Sequence, residues 1–374
     1  MYAPKVVNQV GAGTSSAWAT IWYGQTIAKT VTCLEDDSKA ITAEAYAPMY
    51  TYRMANPDGD CFTPKALSEI LKLALTLGSP HFKDFNDLCP IEAPDSLQSS
   101  AYENRIDGFA KLFNPFDTRS IKISAIKKAI HSNHPVVIGM ITPASFSLAK
   151  EFWQAREQPD TTMSAQALCV VGYDDQQFGG AVEVVNQWGK HWGNEGYTWI
   201  RYEDLSRFAR YGYELFYSAS CVPLPQTTAV IYDGRGTVLD QFDIDNKIHR
   251  VAKPVKIDTK FKMSIRAKSG FFMYLLIKEE GDKITALFPT ATVHPYVTQN
   301  ITLPGKDVYF QLQGMPQTNE MYLIISKRQL DVAEITGQIE SASLISQAGA
   351  TNNLEVAAHL KDQIHLAKIE IEQY

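Results

Sequence analysis

"AVEVVNQWGKHWGNEGYTWIRY", residues 181–202, is the stretch on which the fold turns. It opens as an apolar run, breaks into a block of Asn, Trp and Gly, and resumes as a second run, "YTWIRY". That is strand, elaborate turn, strand. Upstream, "PVVIGMI" (135–141) and "ALCVVGY" (167–173) are also strand-sized, with the Gly- and Asp-rich turn "DDQQFGG" between the second of them and residue 181. Further back the period changes to that of helices. "TPKALSEILKLALTLG" (63–78) offers Thr63 as a cap, Pro64 at the first helical position and Gly78 at the exit. Its Leu67, Ile70, Leu71, Ala74 and Leu75 form one apolar stripe. A second helix is expected over "IKISAIKKAI", ending before Pro135. Helices first and strands later give an α+β class for about the first 220 residues.

The bulk numbers narrow the function classes. A chain of 374 residues is too long for one typical core, so two domains are expected. A net charge of −6 and a pI near 5.8 argue against nucleic acid or an anionic membrane as the main partner. The apolar runs are far too short to span a bilayer, which excludes membrane insertion. "MYAPKVVNQV" at the start lacks the basic and apolar segments of a secretion signal, although a chain cut from a longer precursor would look the same. The compartment is left open. The five cysteines, Cys33, Cys61, Cys89, Cys169 and Cys221, make no zinc or redox motif. Cys61 and Cys89 read as reduced buried thiols, with a bridge as the alternative in an exported protein.

Taken together, "QVGAGTSSAWA" (9–19), "SAQALCVVGYDD" (164–175) and the 181–202 block resemble the papain-like (C1) cysteine peptidases, in particular their compact bacterial branch. Members of that family carry Gln–Gly–x–Cys–Gly–Ser–Cys–Trp–Ala–Phe, then His–Ala opening a strand, then Asn–Ser–Trp–Gly and Trp–Gly–x–x–Gly–Tyr. The resemblance covers about residues 4–218 and implies a two-lobed body with helices in one lobe and strands in the other. Carried over residue by residue, Gln9 falls on the oxyanion-hole glutamine, and Gly13 and Thr14 on Gly–Ser. Ser15 falls on the nucleophilic cysteine, Gln166 on the catalytic histidine and Asn186 on the asparagine that orients it. Ala12 stands where a disulfide cysteine is usual.

Two of these replacements remove the chemistry. The family's nucleophile is a thiolate stabilised by an imidazolium. A serine hydroxyl in its place needs a general base, and the Gln166 amide does not accept protons near neutral pH. In a serine hydrolase, loss of nucleophile or base alone costs about 10⁶ in turnover. Other residues offer little rescue. His191 reads as a turn residue, Cys169 as a packed thiol, and Ser16 lacks a base as Ser15 does. "HSNH" (131–134) has no third metal ligand, and "DIDN" (243–246) is too short for a calcium loop. Trp188, Trp192, Gly189, Gly193 and Gly196 are needed to build the turn whether or not the site works.

After Cys221, "VPLPQTT" reads as a linker. Beyond it, "TAVIYDGRGTVL", "FKMSIRA", "FFMYLLIKE", "KITALFP", "VYFQLQG" and "MYLIISK" are short strands at close spacing, the pattern of an all-β antiparallel sandwich. "IHLAKIEIEQY" alternates Ile369 and Ile371 with Lys368, Glu370 and Glu372, which reads as a closing strand with one solvated face. Through "SGFFMYLLIKEEGDKITALFP", "NITLP" and "EMYLIISKRQLD", this half resembles a bacterial β-sandwich domain of unknown function found beside peptidase-like, caspase-like and kinase modules. The expected domains are 1–221 and 226–374. The expected function is an inactive pseudopeptidase that binds a protein or peptide partner or acts as a scaffold, with Gln9, Gly13, Ser15, Gln166 and Trp188 lining a peptide groove and no cofactor or metal. Two alternatives stand beside it: a weak hydrolase using Ser15 with a base from elsewhere, and a structural component whose cleft is unused. Oligomeric state is not legible.

Overall fold

The structure, a computed structural model, describes all residues except 1, 10, 12, 34, 58, 218–223, 268–269, 299, 348–352, 358–359 and 361–362. Ala12, Cys221 and the start of the expected linker therefore lie outside the described residues. The chain forms two compact units, Met1–Ala219 and Ser220–Tyr374.

The first unit begins with an extended strap and a long helical rod. The rod runs as Ser15–Ala17, then the more loosely wound π-type segment Trp18–Gln25, then Thr26–Cys33. Every residue of the π segment is buried, because its length is packed on all sides. Shorter helices follow at Ser38–Ala43, Pro48–Ala55, Leu67–Thr76 and Gln98–Glu103. The Leu67–Thr76 helix starts three residues later than Thr63 would set it. Asp60 accepts hydrogen bonds from the Phe62 and Thr63 N–H groups and from the Thr63 hydroxyl, so Thr63 is spent in a turn and Ala66 becomes the cap. Its stripe of Leu67, Ile70, Leu71 and Ala74 is buried, with Leu75 half-buried beside it. Helix Arg119–His131 does begin at a side-chain cap, Thr118, and ends before Pro135.

The sheet of this unit contains β1 (Gly108–Phe113), β2 (Val136–Thr142), β3 (Phe152–Trp153), β4 (Ser164–Asp174), β5 (Ala181–Val185), β6 (Tyr197–Arg201) and β7 (Ala209–Phe216). Their order is β1-β7-β2-β4-β5-β6-β3, antiparallel except for β3 with β6. Alternate residues feed two cores. Val137, Ala167, Cys169 and Val185 face the helical rod with Trp18 and Trp22, whereas Val136, Ile138, Leu168, Val170, Val182 and Val184 face the opposite side. β5 stops at Val185 rather than running to 188, since the Asn186 side chain captures the Gln187 N–H and turns the chain. Tyr202 leaves β6 and opens the helix Tyr202–Phe208.

Cys61 and Cys89 form a disulfide. The reading of two reduced buried thiols is thereby corrected: Cys61 is buried, but Cys89 lies at the surface. The buried Arg53 guanidinium bonds the carbonyls of Asn56 (2.8 Å), Gly59 (2.5 Å) and Pro90, which holds the two disulfide-bearing loops side by side.

The second unit is a β-sandwich. It contains β8 (Thr227–Asp233), β9 (Val238–Asp243), β10 (Lys247–Arg250), β11 (Lys260–Ala267), β12 (Phe271–Lys278), β13 (Ile284–Phe288), β14 (Tyr296–Val297), β15 (Ile301–Leu303), β16 (Phe310–Gln311), β17 (Thr318–Ser326), β18 (Ile345–Gln347), β19 (Leu354–Val356) and β20 (Ile364–Glu372). One sheet runs β10-β20-β17-β12-β13, the other β15-β11-β8-β9, and β18 with β19 forms a separate pair. Ala229, Ile231, Met263 and Ile265 from one sheet share a core with Met273, Leu275, Leu323, Ile325 and Ile369 from the other.

The unit departs from an all-β antiparallel sandwich in two ways. β10 joins β20 in parallel, and a helix, Val332–Glu340, buries Ile335 and Ile339. β20 is also no solvated closing strand. It sits between β10 and β17, and Lys368 is 7% exposed, neutralised by Glu320 (2.8 Å) and Glu370 (3.1 Å). The charges at Lys368 and Glu370 form a paired ion cluster, and only Glu372 of the three is open to water.

Candidate functional site

The strap delivers Gln9 to the sheet by backbone pairing. The Gln9 N–H donates to Gln187 O (2.7 Å), Asn8 bridges Trp188, and Gly189 N–H donates to Val7 O (3.0 Å). The loop that follows is shaped by contact with the disulfide loop. Gly13 N–H donates to Cys61 O (3.3 Å), and a Cβ on Gly13 would lie 2.5 Å from the Phe62 carbonyl. Gly11 has φ +79°, and a Cβ there would meet Cys61 O at 2.1 Å. Only glycine fits at either point. Thr14 closes the turn through its hydroxyl to Gly11 O (3.0 Å), and Ser15 is the first residue of the helical rod.

Across from Ser15 lies β4. Ala167 N–H donates to the Ser15 hydroxyl oxygen (3.3 Å), which puts the neighbouring Gln166 beside it. Gln166 is 5% exposed, and its Nε2 donates to Asn186 Oδ1 (3.1 Å) and to Gln9 Oε1 (3.4 Å). The reverse amide orientation would set its oxygen against two others, so the assignment is fixed by the network. Gln9 Nε2 donates in turn to Gly11 O (3.0 Å). Gln9, Ser15, Gln166 and Asn186, spread over 178 positions of sequence, thus meet in one place.

Two residues that the sequence reading did not single out complete this junction. Gln187 Nε2 donates to Ala167 O (2.9 Å), and the Tyr23 hydroxyl donates to Asn186 O (3.3 Å) while accepting from Val7 N–H (3.4 Å). Burial pushes the Tyr23 hydroxyl far above its ordinary pKa, so it stays protonated. Their signal was faint, because each acts on another residue's backbone. Trp188 is half-buried, edge-on to Phe146 and Trp192.

The junction is neutral throughout. Among the described residues the Ser15 oxygen has one hydrogen-bond partner, a backbone N–H, and neither Gln166 nor Asn186 can take up or release a proton near neutral pH. Cys169 lies buried in β4, and burial pushes its thiol well above the ordinary range. His191 is exposed on the turn. His134 is paired with Glu214 (3.2 Å), and no group of three or more His, Cys, Asp or Glu among the described residues is arranged to hold a metal ion. A cavity of about 210 Å³ opens at the far end of the helical rod, bordered by Tyr2, Val31, Ile130 and His134 and by none of the four junction residues.

Residues 96–212 match the family model of the papain family cysteine proteases. The first unit is papain-like. The matched span contains Gln166, Asn186 and Trp188 and begins downstream of Gln9 and Ser15. Among solved structures, the chain is similar to xylellain, a cysteine protease from Xylella fastidiosa, at 17% identity and TM-score 0.47, covering 57% of this chain and 83% of that one. It is similar to bromelain from Ananas comosus in complex with the E64 inhibitor at 16% identity and TM-score 0.45, over 58% and 95%. A Carica candamarcensis cysteine protease in complex with E-64 follows at 13% identity and TM-score 0.46, over 58% and 94%. No curated protein matches the chain by sequence.

Proposed function

We propose that the papain-like unit is a pseudopeptidase, a cleft that binds a protein or peptide segment or serves as a scaffold without cutting it. The observation that carries this reading is the Gln166 amide, which lies beside Ser15 and spends its hydrogens on Asn186 and Gln9. Hydrolysis at Ser15 needs a group that takes its proton during attack. The surrounding amides and backbone cannot do so, and the junction keeps only neutral hydrogen-bonding groups. Such groups serve ground-state binding, which needs no transition-state chemistry. Gln9, Gly13, Ser15, Gln166 and Trp188 would line the groove, and the sandwich unit would add binding surface or linkage to an assembly.

The test compares the full chain with its Ser15→Cys/Gln166→His variant on casein and on fluorogenic peptides. The wild type should remain at background and resist thiol-directed epoxides at the junction, while the double variant should gain labelling at residue 15. Wild-type hydrolysis abolished by Ser15→Ala would instead establish the weak-hydrolase alternative. Ser15→Arg, which blocks the groove, should weaken capture of whatever partner co-purifies with the intact chain. Unchanged capture would place the interaction surface elsewhere.

A further inference from the structure

In the second unit, the chain crosses from one sheet to the other between β9 and β10, and two histidines grip that crossover. His249, in β10, stacks its ring on Phe242 (centroids 4.0 Å apart, planes 21° apart). The Asp243 backbone lies against the ring, and its Nε2 is buried with no partner. His365, in β20, sets its ring against the Ile244 backbone and leaves Nδ1 buried with no partner. Asn246 completes the anchorage: its side-chain oxygen accepts from Leu366 N–H (2.9 Å) and its carbonyl from Leu354 N–H (2.8 Å).

A neutral imidazole has a single N–H and carries a bare lone pair on its other nitrogen. Protonating that nitrogen adds a donor with no acceptor, and a charge, at a buried atom of a half-buried ring. The charged groups facing His249 are Asp240, Asp245 and Lys247; those facing His365 are Asp245 and Lys327. Asp245, the carboxylate common to both, is already engaged by Lys247 at 2.5 Å. Burial outweighs these carboxylates and holds both rings below the usual histidine range. The folded state therefore favours the neutral rings. Their contribution is full above the ordinary imidazole pKa of about 6.5 and is lost as pH falls from there through the lowered folded values.

β10 is the edge strand of its sheet, held to β20 over four residue pairs, Lys247–Ala367 to Arg250–Glu370. On its other side, among the described residues, it carries the single Lys247–Asn353 bridge. We propose that His249 and His365 form an acid-sensitive latch on the crossover: neutral, they hold β10 against β20; protonated together, they release it and expose the β20 edge. A bare edge of that length is a template for pairing with a second strand, so mild acid would prime the second unit for strand-to-strand association.

Hydrogen exchange on the full chain at pH 7.5 and pH 5.0, corrected for intrinsic rates, tests this. Protection across 244–251 should fall by roughly fivefold or more at the lower pH, with β12 and β17 unaffected. His249→Gln/His365→Gln keeps an amide donor for each backbone contact and cannot titrate, so the drop should shrink to under about twofold. Equal protection at both pH values in the wild type, or an undiminished drop in the double variant, overturns the latch. Should the double variant not fold, the ring-proton titrations of the wild type decide: either ring titrating at or above the ordinary value of about 6.5 rules the latch out.

Discussion

Asn186→Leu removes an amide on which two donors converge, and its cost can be worked from the contacts. Asn186 and Gln187 are both fully buried, and Asn186 Oδ1 accepts from Gln187 N–H (2.9 Å) and from Gln166 Nε2 (3.1 Å). Leaving the Gln187 N–H without an acceptor costs about 1–3 kcal/mol, and the lost Gln166 bond adds about 1 kcal/mol. Asn186 Nδ2 is buried without a partner, so deleting it returns about 1 kcal/mol. The net loss is about 2 kcal/mol, or a fall in Tm of about 4–8 °C for a unit of this size. All six tryptophans, Trp18, Trp22, Trp153, Trp188, Trp192 and Trp199, belong to the first unit, so the tryptophan emission shift on heating follows that unit separately from the sandwich. A Tm change below about 1 °C would refute the reasoning, because the asparagine would then hold nothing in place and its retention would need a catalytic or binding explanation.

Lys122 is buried, and its ammonium donates to Pro115 O, Ser206 O and Ala209 O, each at 2.9 Å. Lys122→Met should cost the first unit roughly 3 kcal/mol in urea unfolding followed by tryptophan emission, the charged bonds outweighing the relief of a buried ammonium. Cys61→Ala/Cys89→Ala opens a link spanning 28 positions, worth about 3–4 kcal/mol on chain-entropy grounds, and a loss under 1 kcal/mol by the same assay would show that Arg53 suffices to hold the two loops. Native-state alkylation mapped by mass spectrometry should modify the exposed Cys33 and spare Cys169, whose burial disfavours the thiolate; equal labelling would contradict the packing of β4. Gly11→Ala should lower the same Tm, since its Cβ would overlap Cys61 O, whereas Gly236→Ala, with nothing within 4 Å, meets only the strain of φ +85°.

Period and punctuation were enough to read β2, β4, β5 and β6 of the first sheet, the Arg119–His131 helix and the β-rich second half, whereas β1, β3 and β7 went unread. Boundaries failed where a side chain made a more favourable local bond than the expected one. Asp60 took the hydroxyl of Thr63, and Asn186 ended β5 by bonding the next N–H. β20 was misread because Lys368 and Glu370 look solvated in sequence but neutralise each other and Glu320 inside the sheet. Gln9, Ser15, Gln166 and Asn186 were found by their place in motifs, while Gln187 and Tyr23 were not. Glutamine and tyrosine give no periodic signal when their partners are the backbone of Ala167, Val7 and Asn186. The disulfide was undecidable from spacing, since it depends on two loops brought together by Arg53.

The contact of Gly11 and Gly13 with the Cys61–Thr63 backbone has a bearing on how such a chain changes over time. Main chain meets main chain there, so the outline of the loop is set without any contribution from the side chain at position 15. A change at position 15 leaves that outline intact, whereas positions 11 and 13 admit no side chain. Substitution at position 15 is thus uncoupled from the positions that give the loop its outline. The loop can therefore keep its silhouette through changes of side chain at its helix-facing end.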